Sequence, residues 1–134
     1  MWVTEEVRVL IKFLYCLWVF MLGGTACPAW ADSVRISNRL AACSTVSLKS
    51  TETIHNLVLA HARIDLKASI GDCGCKSALA NYASFADRGK QPQMLQKGVI
   101  SMMEAGDRTF VLASDPALVK NANVRLTIDC AAPL

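Results

Sequence analysis

Cys73-Gly74-Cys75, followed at once by Lys76, packs more chemistry into fewer residues than any other stretch of the chain. A Cys-x-Cys pair exchanges with disulfides when one sulfur is held as thiolate, and a neighbouring lysine at an exposed turn favours that form. The same sulfurs suit Cu(I), a soft ion, with help from the thioethers of Met94, Met102 or Met103. Joined by Cys43 and Cys130 they could hold zinc, although zinc sites usually place two or more residues between paired cysteines. The plainer reading makes all four the halves of two structural disulfides, and it is the one favoured here. The histidines offer less. His55 and His61 are six residues apart, roughly 20 Å along an extended strand at ~3.3 Å per residue, too far to share a metal. Neither has a serine or carboxylate nearby at a spacing that marks a triad, and no serine or threonine sits in a nucleophile elbow. The expectation is a non-catalytic protein with no cofactor and no metal site.

The compartment follows from the N-terminus. Phe13 to Leu22 is ten residues without a charge, ended by Gly23-Gly24, and Ala29-Trp30-Ala31 is the small-x-small pattern read by signal peptidase. Residues 1–31 are therefore expected to be a signal peptide, cleaved between Ala31 and Asp32. The first twelve residues make a weak basic region, because Glu5 and Glu6 cancel Arg8 and Lys12. A spanning anchor over 9–31 would contain Lys12, two glycines and Pro28, and the apolar run is well short of the roughly 20 residues a membrane helix needs. A lipid on Cys27 would want a bulky aliphatic residue where Gly24 stands. The membrane is thus met only through the leader before cleavage, and the destination is the periplasm of a Gram-negative bacterium.

Removing residues 1–31 of 134 leaves 103, expected to form a single domain over 32–134. Cys16 and Cys27 leave with the leader, and an even set of Cys43, Cys73, Cys75 and Cys130 remains. In an exported chain that reads as a disulfide framework. The mature part carries 12 Lys and Arg against 9 Asp and Glu, scattered singly rather than in a run. That distribution argues against nucleic acid.

Alternation supplies the elements that hold these residues. From Ala60 to Ile70 the even positions (Ala60, Ala62, Ile64, Leu66, Ala68, Ile70) are apolar and the odd ones polar, the period of a strand with one buried face. Val124, Leu126 and Ile128 alternate with Arg125, Thr127 and Asp129 in the same way. Thr109–Ala113 is a third strand, with Gly98–Met103 expected as its hairpin partner across Ala105-Gly106-Asp107. Val34 with Ile36, and Thr45–Leu48, are shorter strands. Asp87–Pro92 reads as a polar loop, and Ser114-Asp115-Pro116 as the start of a brief helical turn stopped at Asn121. Residues 77–86 fit a helix through Leu79, Tyr82, Ala83 and Ala86, or a strand through Leu79, Asn81, Ala83 and Phe85. Regular short strands with turn signals between them favour strand, and with it an all-β fold: a small antiparallel β-sandwich, immunoglobulin-like, behind an N-terminal signal helix. The run Met94, Leu95, Val99, Ile100, Met102 and Met103 reads as core, or as an adaptable surface for a partner.

With Lys67-Ala-Ser-Ile-Gly-Asp-Cys-Gly-Cys-Lys-Ser-Ala-Leu79 and a late strand ending in Cys130, the chain resembles a family of small exported bacterial proteins of unknown function. Those share a leader, an early cysteine (Cys43 here), a Cys-Gly-Cys-Lys-Ser segment and a terminal cysteine. The resemblance implies a periplasmic all-β product, supports the strand reading of 77–86, and brings no activity with it. Counting strands that each reverse the one before gathers all four cysteines at one pole. Cys130 then pairs with Cys73 or Cys75; Cys43–Cys73 with Cys75–Cys130 is preferred. Two functions stay open: a binding or interaction module for an unknown envelope or secreted protein, which is favoured, and a thiol-redox or copper-handling protein using Cys73 and Cys75.

Overall fold

A computed structural model of the protein describes residues 34–132. The expected signal helix over 1–31 and the cleavage point at Ala31 and Asp32 lie outside the described residues. Seven strands follow one another: β1 Val34–Asn38, β2 Ser44–Ile54, β3 Leu57–Leu66, β4 Leu79–Arg88, β5 Gln91–Ser101, β6 Gly106–Ala113 and β7 Asn123–Cys130. They form two sheets, β1-β7-β4-β5 and β2-β3-β6. The described residues are thus mostly β, in a two-layer sandwich, with two 3-10 turns at Ile70–Cys73 and Pro116–Leu118 and no α-helix. The strand order is not that of an immunoglobulin constant domain, whose first strand lies beside its second. Here β1 runs parallel beside β7, and the chain crosses to the other layer directly after it, so that β1 and β2 lie in different sheets. Asn38 fastens that crossing: its side-chain amide donates to the Ser44 carbonyl and its oxygen accepts from the Leu40 N–H.

Alternation explains the interior. Ala60, Ala62 and Ile64 of β3, Phe110 and Leu112 of β6, and Val124, Leu126 and Ile128 of β7 are buried between the layers. The Phe110 ring meets the half-buried Tyr82 edge-on, with centroids 5.1 Å apart. Ser84 is fully buried, and its hydroxyl donates across the sandwich to the Leu112 carbonyl at 2.6 Å. That bond satisfies a polar group that would otherwise cost about 1–3 kcal/mol to bury.

Four expectations are corrected. The β3 pattern ends at Leu66, which is half-buried, and Ala68 is exposed. After Leu66 the chain leaves the sheet: the N–H groups of Lys67 and Ala68 both turn to the Cys43 carbonyl. Residues 77–86 are strand over most of their length, but the inward set is Ala80, Tyr82, Ser84 and Ala86, not the odd positions. Gly98–Met103 does not pair with β6. Its strand, β5, runs antiparallel beside β4, and the chain then crosses to the other layer at Met102–Ala105. Asp87–Pro92 is mostly ladder, with Asp87 opposite Pro92 and Arg88 opposite Gln91. Gly89, at φ 70°, lets two residues close this hairpin.

Candidate functional site

The four cysteines do gather at one end. The structure joins Cys43 to Cys73 and Cys75 to Cys130, with Cα–Cα distances of 6.1 and 5.1 Å. Ser69 caps the 3-10 turn through its hydroxyl, which accepts from the Gly71 N–H. Gly74 then takes φ 89°, where an L side chain would be strained, and the Cys75 N–H returns to the Ile70 carbonyl. This reversal sends Cys73 toward the crossing before β2 and Cys75 toward the end of β7. Both sulfurs of the Cys-Gly-Cys corner are therefore consumed, and exchange or Cu(I) binding there would first require reduction. Cys43 and Cys75 are buried, whereas Cys73 and Cys130 are partly open. Two disulfides are compatible with an exported, oxidising compartment.

The histidines part company. His55 occupies the β2–β3 turn with Asn56, both at positive φ (46° and 70°), as a two-residue hairpin turn demands. His61 stands mid-strand on the outer face of β2-β3-β6. Its Nε2 lies 2.5 Å from Glu52 Oε1 and its Nδ1 3.0 Å from Thr109 Oγ1. A carboxylate, an imidazole and a hydroxyl thus line up across three strands. Sequence spacing hid this row, because Glu52 and Thr109 reach His61 only through the pairing of β2 and β6 with β3. The imidazole is 35% exposed and the carboxylate 45%. A hydrolytic triad instead works beside donors aimed at a developing oxyanion. Beside the row, Arg63 reaches Asp65 and Asp107, and Lys49 reaches Asp107. These contacts make a charge-laced, self-satisfied surface.

The outer face of β1-β7-β4-β5 is built differently. Register sets Arg35, Arg125, Phe85 and Met94 in one row, Ser37, Thr127, Ala83 and Lys97 in the next, and Asp129, Asn81 and Val99 in a third. The small Ala83 at the centre leaves a shallow groove of about 430 Å³, lined by Asn81, Ala83, Lys97, Val99, Thr127 and Asp129 among others. Both carboxylates of this face are already engaged. Asp87 accepts from Arg125 at 3.1 and 3.2 Å, and Asp129 pairs with Arg39 at 3.0 Å. The hydrogen bond from Arg125 holds the Asp87 carboxyl below its ordinary range and raises the guanidinium in turn. Arg125 also lies over the Phe85 ring, 5.0 Å from its centroid. Lys97 has no carboxylate partner among the described residues. Met94 and Val99 are more than half exposed, at 55% and 57%, and Leu79 is 37% exposed at the far end of the same ladder from Met94. Of the apolar run read from the sequence, Met102 is buried and Leu95 and Ile100 are half-buried against the core, whereas Met94, Val99 and Met103 are exposed, Met103 at 73%.

Residues 18–133 match the model of a bacterial family described as uncharacterised proteins conserved in bacteria, DUF2195. The chain belongs to that family. The match spans all four bonded cysteines, both sheets and the groove. No curated protein and no solved structure matches the chain.

Proposed function

We propose that this DUF2195 protein is a periplasmic, non-catalytic interaction module that docks on another envelope or secreted protein through the outer face of β4 and β5. The observation that carries the reading is the exposure of Val99 on a groove whose lysine lacks a counter-charge, with Met94 and Leu79 open farther along the same sheet face in either direction. Single exposed apolar residues are ordinary; here several share one sheet face with a cation that has no carboxylate partner, which favours a contact surface. The Cys75–Cys130 disulfide ties the segment before β4 to the end of its neighbour β7, and a cross-linked, pre-ordered surface lowers the ordering cost of association.

A photo-crosslinking amino acid in place of Val99, in cells that make the protein, should give a discrete adduct with another protein. The same group in place of Arg63, on the opposite face, should give none. Equal yields at the two positions, or no adduct from Val99 or Met94, overturn the reading. Export is checked separately. N-terminal sequencing should begin at Asp32, and a retained leader or a lipid on Cys27 would contradict it.

A further inference from the structure

The β5 strand is the outermost of its sheet, so one side of its backbone has no strand partner. Its two halves differ. Pro92 has no N–H to offer, and the register slips between Ser84 and Phe85 so that Leu95 bulges out of the ladder. Both features block strand addition along the first half. From Lys97 to Ser101 the pairing with β4 is regular, residue for residue from Ala83 back to Leu79. The outward side chains of this half are Lys97, Val99 and Ser101, and the first two line the groove. No other charge lies on this half-strand, and the carboxylates across the groove are taken by arginines.

Resting on the docking reading above, we infer that the partner contributes an extended segment that adds as a strand beside Lys97–Ser101. That segment carries a carboxylate next to Lys97 and an apolar side chain two residues away, next to Val99. Backbone hydrogen bonds supply the grip, and the acid-x-apolar spacing supplies the choice, since side chains two apart share one face of a strand. The Lys97 ammonium makes the position selective: it attracts a carboxylate and repels a lysine at the same place.

The test uses the disulfide-bonded protein and two capped synthetic peptides, Val-Thr-Glu-Thr-Val-Thr and the same sequence with Lys for Glu, followed by amide chemical shifts. The Glu peptide should shift and protect the amides of Lys97–Ser101. It should bind about tenfold tighter than the Lys peptide at low salt, with the margin shrinking as salt rises. Lys97→Gln should erase the preference and Lys97→Glu reverse it, while both variants keep the spectrum of the folded protein elsewhere. Equal binding of both peptides at Lys97–Ser101 overturns the carboxylate assignment and leaves the docking face standing. Shifts confined to β1, β2 or β6, or no binding at all, overturn the strand-addition proposal, and Val99 crosslinking then judges the face on its own. A concentration-dependent dimer that protects the same amides without peptide overturns it in favour of a second copy.

Discussion

The outer faces of the two sheets are made from the same kind of alternating strand and end up with opposite characters. On β2-β3-β6 nearly every charged group finds its answer on the same surface: Glu52 with His61, and Arg63 and Lys49 with Asp107. The apolar residues exposed on that layer, Leu48, Ile54 and Leu57, lie on the edge strand and at the β2–β3 turn rather than across the face. On β1-β7-β4-β5 the carboxylates are paired, a lysine is left over, and Val99 and Met94 stand open beside it. A surface that satisfies itself gains little from a partner. One that leaves apolar area and a cation uncovered gains on contact, and this difference singles out the docking face.

The comparison holds only if both faces rest on one core, and the largest expected effect tests that. Phe110 is fully buried on β6 and meets Tyr82 of the opposite sheet. Phe110→Ala should cost about 3–5 kcal/mol. Urea unfolding followed by hydrogen exchange should show the amides of both sheets losing protection together. If β2-β3-β6 loosened while β4 and β5 stayed protected, the faces would belong to separate units.

A smaller change should act on one face alone. A Cβ added at Gly98 would lie 2.6 Å from the Tyr82 ring and within 2.8 Å of its hydroxyl oxygen. Gly98→Ala should therefore cost about 1–3 kcal/mol as an overpacked contact, and should disturb β5 without touching the His61 row. In a double-mutant cycle with Tyr82→Ala the Gly98 penalty should fall towards zero, measured by denaturant midpoint. An undiminished penalty would place the strain elsewhere.

How far the sequence could be read follows the same divide. β7 was legible because Val124, Leu126 and Ile128 are large, apolar and alternate with polar neighbours. β4 was ambiguous because its inward residues are Ala80, Tyr82, Ser84 and Ala86, two of them small and one polar, which leaves no apolar stripe to see. The partner of β5 was misread because periodicity reports which face of a strand is buried and nothing about its neighbour. The candidate site suffered for the same reason. Met94 and Val99 look like core residues in sequence, and only their place on the outer face of an edge strand exposes them. The His61 row needed the registers of two strand pairs before its three members could meet.

Acid should separate the faces further. The Arg125 hydrogen bond depresses the Asp87 carboxyl in the folded protein. A depressed carboxyl adds stability above its unfolded value, near 3.9, and loses it as pH falls through the folded value. Asp87→Asn should thus be less stable than the parent at neutral pH, and the two should converge as pH drops below about 4. Thermal melts across that range check it; a gap that persists in acid would mean that Asp87 acts through something other than its charge.

The smallest expected effect is the sharpest on function. The Arg63–Asp107 pair lies at 3.6 Å, with the two side chains 44% and 67% exposed. Exposed pairs are worth about 0–1 kcal/mol, because water and salt screen them and two flexible side chains must be held still. Arg63→Ala and Asp107→Ala should each fall within that range, and 1 M salt should narrow the difference further, since the Debye length is then only about 3 Å. Lys97→Ala should be equally mild in a melt, for Lys97 has no carboxylate partner to lose. The two faces should differ in crosslinking: the Arg63 and Asp107 variants should leave the adduct formed from Val99 unchanged, while Lys97→Ala weakens it. Loss of that adduct on changing Arg63, with Lys97 indifferent, would reverse the assignment of the contact surface.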